Sequence, residues 1–164
     1  MSNKEIQSKT LSLLHTVTAA LPQAEERQGQ NEMAVAIALA VDTKRHLIVQ
    51  AGTGTGKTLG YLVPLIASGK RVVVSTYTKA LQDQLAANDL PLLSKVLGKE
   101  LNRHISWAVL KGRSNYICVQ RVDEIVSPKH TKLDLETTPA KVTKEIAKLS
   151  EWATQTDTGD QGDL

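Results

Sequence analysis

The chain contains one cysteine, Cys118, and no phenylalanine. A single thiol cannot form an internal disulfide, so a disulfide-stapled scaffold is excluded and a reducing compartment fits. Aromatic residues make up 3% of the chain: Tyr61, Tyr77, Trp107, Tyr116 and Trp152. They are too few for a broad base-stacking platform. Apolar runs are short. Met33–Val41 is far from the roughly 20 residues that a membrane span requires. The N-terminal stretch MSNKEIQSKTLSLLHTVT has no continuous apolar core and no small-residue cleavage site, so it does not read as a secretory signal. What remains is 164 residues, 41% hydrophobic and 23% charged, which is one soluble domain's worth of chain.

The net charge is small, +3, but unevenly spread. Residues 1–40 carry three Lys/Arg and four Asp/Glu, residues 41–130 thirteen and six, and residues 131–164 four and seven. The basic excess therefore lies in the middle of the chain, where an anionic ligand would find it. Solvated surface lysines account for such an excess equally well.

Periodicity predicts a helix over 5–21, closed by Pro22, a polar loop over 24–30 and a second helix over 31–42. The β-branched run 46–50 reads as a buried strand. A glycine-rich turn (51–56) and a helix over 57–67, with a kink expected at Pro64, follow it. Runs 71–75 and 105–110 read as two further strands. Helices are expected over 79–88, 91–97, 115–126 and 140–152, with a loop over 127–139. Strands alternating with helices predict an α/β fold with a parallel sheet and flanking helices.

Ala51-Gly-Thr-Gly-Thr-Gly-Lys-Thr58 matches the phosphate-loop pattern except that Ala51 replaces the first glycine. Glycines at 52, 54 and 56 let the backbone turn successive N–H groups, including those of Thr53 and Thr55, toward phosphate oxygens. The next helix opens at the same place with its positive dipole end. Lys57 would reach the β and γ phosphates and the Thr58 hydroxyl would ligate Mg2+. A strand leading in and a helix leading out are the context the motif requires. An ordinary turn has no need of Gly-Lys-Thr at its end. The motif identifies a nucleoside triphosphate site, not a reaction.

Three other stretches narrow the class. Arg27-Gln-Gly-Gln30 resembles the adenine-reading motif of superfamily 2 helicases, and the Gln30 amide has the donor and acceptor this needs. By itself it reads as a polar loop. Thr76-Tyr77-Thr78-Lys-Ala-Leu81-Gln-Asp-Gln84-Leu85 resembles the T-x-T-x-x-L-x-x-Q-L motif of the same helicases, which contacts single-stranded DNA. Leu81 and Leu85 can pack while the hydroxyls bind phosphate. Lys111-Gly-Arg113-Ser-Asn-Tyr-Ile-Cys118 is similar to the K-G-R-x-N-Y-x-C signature of the DinG/XPD family of iron–sulfur DNA helicases. In that family the cysteine is the first of four thiolate ligands of a 4Fe-4S cluster. Taken alone, Cys118 would read as a small buried hydrophobe.

The resemblance runs from about Arg27 to Leu164. It implies the N-terminal part of a first RecA-like motor domain: 1–22 an N-terminal helix, 23–114 the ATP-binding part, 115–164 the start of a cluster region. It further implies a cytoplasmic, ATP-dependent DNA helicase without a membrane partner. Such a helicase moves 5′-to-3′ on single-stranded DNA and serves genome maintenance. It assigns Arg27, Gln30 and 52–58 to the nucleotide, Lys57 and Thr58 to catalysis, and Thr58 to Mg2+. Thr76, Tyr77, Thr78, Gln84, Lys111 and Arg113 fall to DNA, and Cys118 to the cluster. Thr158-Gly159-Asp160 resembles a stretch the family carries after the first cysteine. The family's D-E-A-H carboxylates and second motor domain are not found. Asp123-Glu124 reads as an exposed helix pair. The chain is therefore expected to be a fragment of a longer helicase, inactive alone and completed by the remainder of that chain. The alternative is a non-catalytic nucleotide- or DNA-binding module.

Overall fold

The computed structural model describes residues 2–22, 24–126 and 140–164, and the side chains of helix α7 from residue 144 on. The expected loop 127–139 lies outside the described residues. The chain divides into two compact units, Met1–Val109 and Leu110–Leu164.

The first unit is built from helices whose buried positions follow the helical repeat. Helix α1 (Asn3–Ala19) opens on a capping box, in which Glu5 N donates to Ser2 Oγ and Ser2 N donates to Glu5 Oε2. Its buried stripe is Ile6, Thr10, Leu13, Leu14 and Val17. Helix α2 (Gln28–Thr43) takes in residues expected to be loop. Gln28 Nε2 donates to Glu32 Oε1 one turn on, which supports that early start. Helix α3 (Lys57–Ala67) follows Gly56 and carries Pro64 in its interior.

The two helices expected after residue 79 form one run: α4 (Lys79–Gln84), a π-turn (Leu85–Asp89) and α5 (Leu90–Glu100). Pro91 offers no N–H and its ring presses on the preceding turn. Leu90 N donates to Leu85 O, five residues back, so the ladder widens where the proline enters. Leu14, Val17, Ala34, Leu62, Val63, Leu85, Leu93 and Leu97 form the core between α1, α2, α3 and α5.

The parallel sheet is not found among the described residues. Among the described residues no strand is present, and the one β contact is an isolated antiparallel bridge, Tyr116 to Asp160. Runs 46–50, 71–75 and 105–110 lie outside helices and pair with no neighbour as strands. Each run shows an apolar side chain to solvent: Ile48 and Val73, at the centres of the first two, are 97% and 90% exposed, and Leu110, at the end of the third, 85%. The α/β expectation, a partial RecA-like P-loop fold with a parallel sheet, is therefore corrected to an all-helical arrangement of the described residues. β-Branched runs report which side chains favour extended backbone. A sheet also needs a neighbour in register, and that is a relation between segments.

The second unit holds a 3-10 turn (Arg113–Asn115), α6 (Val119–Val126), α7 (Ala140–Gln155) and a closing 3-10 turn (Gln161–Asp163). Helices α6 and α7 pack on each other. The closing stretch is anchored by the Tyr116 to Asp160 bridge.

Candidate nucleotide and strand-binding site

In the first unit the phosphate loop closes on itself. Lys57 Nζ donates to Gly52 O at 2.6 Å and Ala51 O at 3.3 Å, and Thr55 Oγ1 donates to Gly52 O at 3.0 Å. Gly54 and Gly56 have φ of 81° and 72°, the left-handed region that glycine enters without strain. A Cβ at Gly56 would stand 2.2 Å from Gln30 Nε2, so the turn and α2 touch there. A Cβ at Gly52 would meet nothing within 4 Å, so chain packing gives no reason for a glycine at that position.

Gln30 is 4% exposed, and its Nε2 donates to Gly56 O at 2.8 Å. One N–H of the amide thus holds Gly56, the residue that precedes α3. Arg27 borders the same glycine, its Nη1 3.5 Å from the Gly56 Cβ position. Its guanidinium is paired with Glu25 Oε2 at 2.7 Å through Nη2. Arg27 and Gln30 are therefore brought to the phosphate loop, with Glu25 as a partner the sequence did not single out.

Thr58 sits on the first turn of α3 with Tyr61 one turn on. Burial pushes the Tyr61 phenol up, the nearby Thr58 side chain opposes this, and the Asp89 carboxylate adds to it. Burial likewise raises Asp89, against the Gln84 amide, which donates to Asp89 Oδ2 at 3.2 Å. Tyr61 and Asp89 were missed in the sequence, because nothing in a helical repeat marks a residue that meets a charge from another helix.

In the Thr76–Leu85 stretch, Thr76 Oγ1 donates to Thr78 O at 3.2 Å, and Thr78 Oγ1 caps α4 by accepting from Leu81 N at 3.3 Å. Tyr77 between them is fully exposed. Leu85 is buried and Gln84 lies on the surface, so packing and polar positions separate as their spacing suggested.

The second unit holds Lys111, Arg113 and Cys118. Lys111 is ion-paired with Asp160 at 2.6 Å, Arg113 is exposed and Cys118 is a free, exposed thiol. Asp123 and Glu124 are exposed on α6. Among the described residues no three His, Cys, Asp or Glu side chains gather to hold a metal. A four-iron cluster takes about four thiolates. With one cysteine in 164 residues, this chain alone does not fit one.

A family model for the DEAD/DEAH box helicases matches residues 28–153. An ATP-dependent helicase DinG of Mycobacterium tuberculosis is 43% identical over 93% of the chain and 24% of its own length. An ATP-dependent DNA helicase YoaA of Escherichia coli is 41% identical over 86% of the chain and 21% of its own. A protein of Bacillus subtilis named 3′-5′ exonuclease DinG is 32% identical over 98% of the chain and 16% of its own. The chain thus spans about a quarter or less of the curated relatives it matches.

Proposed function

Because the chain belongs to the DEAD/DEAH box helicase family, we propose that it is the nucleotide-binding portion of an ATP-dependent DNA helicase of the DinG type. The observation that carries this is the loop 51–58, folded around the Lys57 ammonium at the N-terminus of α3. An arriving triphosphate offers that ammonium stronger acceptors than the Gly52 and Ala51 carbonyls. Lys57 then turns outward to the β and γ phosphates. The N–H groups of 52–58 and the dipole of α3 meet the same charge. The Gln30 oxygen and Arg27 serve the adenine end.

Thr58 fits a Mg2+ ligand by its hydroxyl and its place on the first turn of α3. Bound there, the ion would neutralise charge on the phosphates. Thr76, Tyr77, Thr78 and Gln84 serve a single DNA strand through hydroxyls, an amide and an exposed ring. These contacts carry no sequence information. Hydrolysis, 5′-to-3′ movement, a role in genome maintenance and a cytoplasmic setting belong to the proposal for the whole protein. Cys118 contributes a cluster ligand only if further thiolates come from outside these residues.

The test is Lys57→Ala. Titrated with Mg-ATP, the variant should lose binding by at least about a hundredfold, as expected when a charged phosphate contact is removed from a closed loop. Binding of a labelled oligothymidine should stay within about twofold. Equal Mg-ATP binding by variant and parent would overturn the assignment.

A further inference from the structure

The Lys111 side chain is 7% exposed and that of Asp160 15%, and their charged atoms stand 2.6 Å apart. A lysine so buried is not presenting its charge to solvent. Around the pair the chain is cross-tied. Ile117 N donates to Gly159 O at 2.8 Å, Tyr116 and Asp160 form the antiparallel bridge, and Gln161 Nε2 donates to Ser114 O at 3.4 Å. The turn between these ties is closed from within, since Lys111 N donates to the Tyr116 hydroxyl at 2.8 Å and Asn115 Nδ2 to Gly112 O at 2.9 Å. Arg113 lies on that turn with its side chain exposed.

We propose that Lys111 and Asp160 are positioning residues, a latch that fixes the 112–116 turn so that Arg113 meets a DNA phosphate, and that Lys111 is not itself a strand contact. The inference rests on the strand-binding reading given above. The charge logic makes it testable. Taking a carboxylate away from a surface that binds a polyanion strengthens binding when the carboxylate acts only through its charge. Taking it away from a buried pair removes the ion pair that ties position 111 to position 160 and loosens the turn.

The experiment is a double-mutant cycle in the intact chain, using Lys111→Met, Asp160→Asn and the double variant K111M/D160N, in which the amide oxygen at position 160 can still accept from Gly162 N. Affinity for a labelled oligothymidine is read by anisotropy and protection of the Ile117 amide by hydrogen exchange. The latch requires that both single variants bind about tenfold more weakly, the range of coupled neighbours. Both should lose Ile117 protection, and the double variant should recover most of each, because it has neither charge to desolvate. If Asp160→Asn binds as well as the parent or better, while Lys111→Met and the double variant stay weak, Lys111 touches the strand and the proposal is wrong. If the parent itself binds no oligothymidine, the strand-binding reading fails. Ile117 protection then decides the latch alone: loss in both single variants supports it, and retention overturns it.

Discussion

At the residue scale, the three glycines of the phosphate loop look alike in the sequence and differ in the structure. Gly56 needs its missing side chain for two reasons, a φ of 72° and the Gln30 amide 2.2 Å from where a Cβ would stand. Gly52 meets nothing of the chain within 4 Å. Gly56→Ala should therefore lower stability by about 1–2 kcal/mol or more, the cost of a left-handed non-glycine residue before any clash. Gly52→Ala should leave stability within about 0.5 kcal/mol and still weaken Mg-ATP binding, because the methyl stands where phosphate approaches. Urea unfolding and nucleotide titration on both variants check this. A large stability loss at Gly52 would refute it. Gln30 was legible as a polar amide near the loop. That one of its ends is spent on Gly56 O was not, because the bond joins positions 26 residues apart. The start of α3 at Lys57 was legible because the motif requires a helix to open there.

At the element scale, helices announce themselves by spacing, and α1 and α3 form over stretches where helices were expected. The π-turn did not announce itself. Pro91 reads as a helix break, and the chain answers by widening one turn instead of stopping. That turn ends on Asp89, whose carboxyl is raised above its ordinary 3.8 chiefly by burial. The folded state thus holds the proton more tightly than the unfolded chain. Stability contributed by this group is full below the unfolded value and falls as pH rises through the folded one. At neutral pH the charge at Asp89 is a net cost. Asp89→Asn keeps an acceptor for Gln84 and should raise the melting temperature at pH 7. It should give no gain at pH 3, where the parent carboxyl is protonated. Melts of both proteins at the two pH values decide it. A variant equally stabilised at pH 3 would show that charge is not the cause.

At the scale of the whole molecule, family and fold were not equally legible. Short motifs sufficed for the family, because a few residues at fixed spacing carry the chemistry. That the sheet would be absent was not legible, because the runs at 46–50, 71–75 and 105–110 say nothing of which partners lie beside them, and among the described residues they pair with none as strands. An unpaired apolar run presents both side chains and open backbone groups to any other chain that can pair with it. With Ile48 and Val73 almost wholly exposed, the 164-residue chain should self-associate as its concentration rises. Lysine at both positions places charge on the runs and touches no core residue. The Ile48→Lys, Val73→Lys double variant should therefore sediment as a monomer at concentrations where the parent does not, with helix content unchanged by circular dichroism. Association that persists in the variant would place the sticky surface elsewhere. A parent that stays monomeric up to millimolar concentration would show that these runs are shielded in solution.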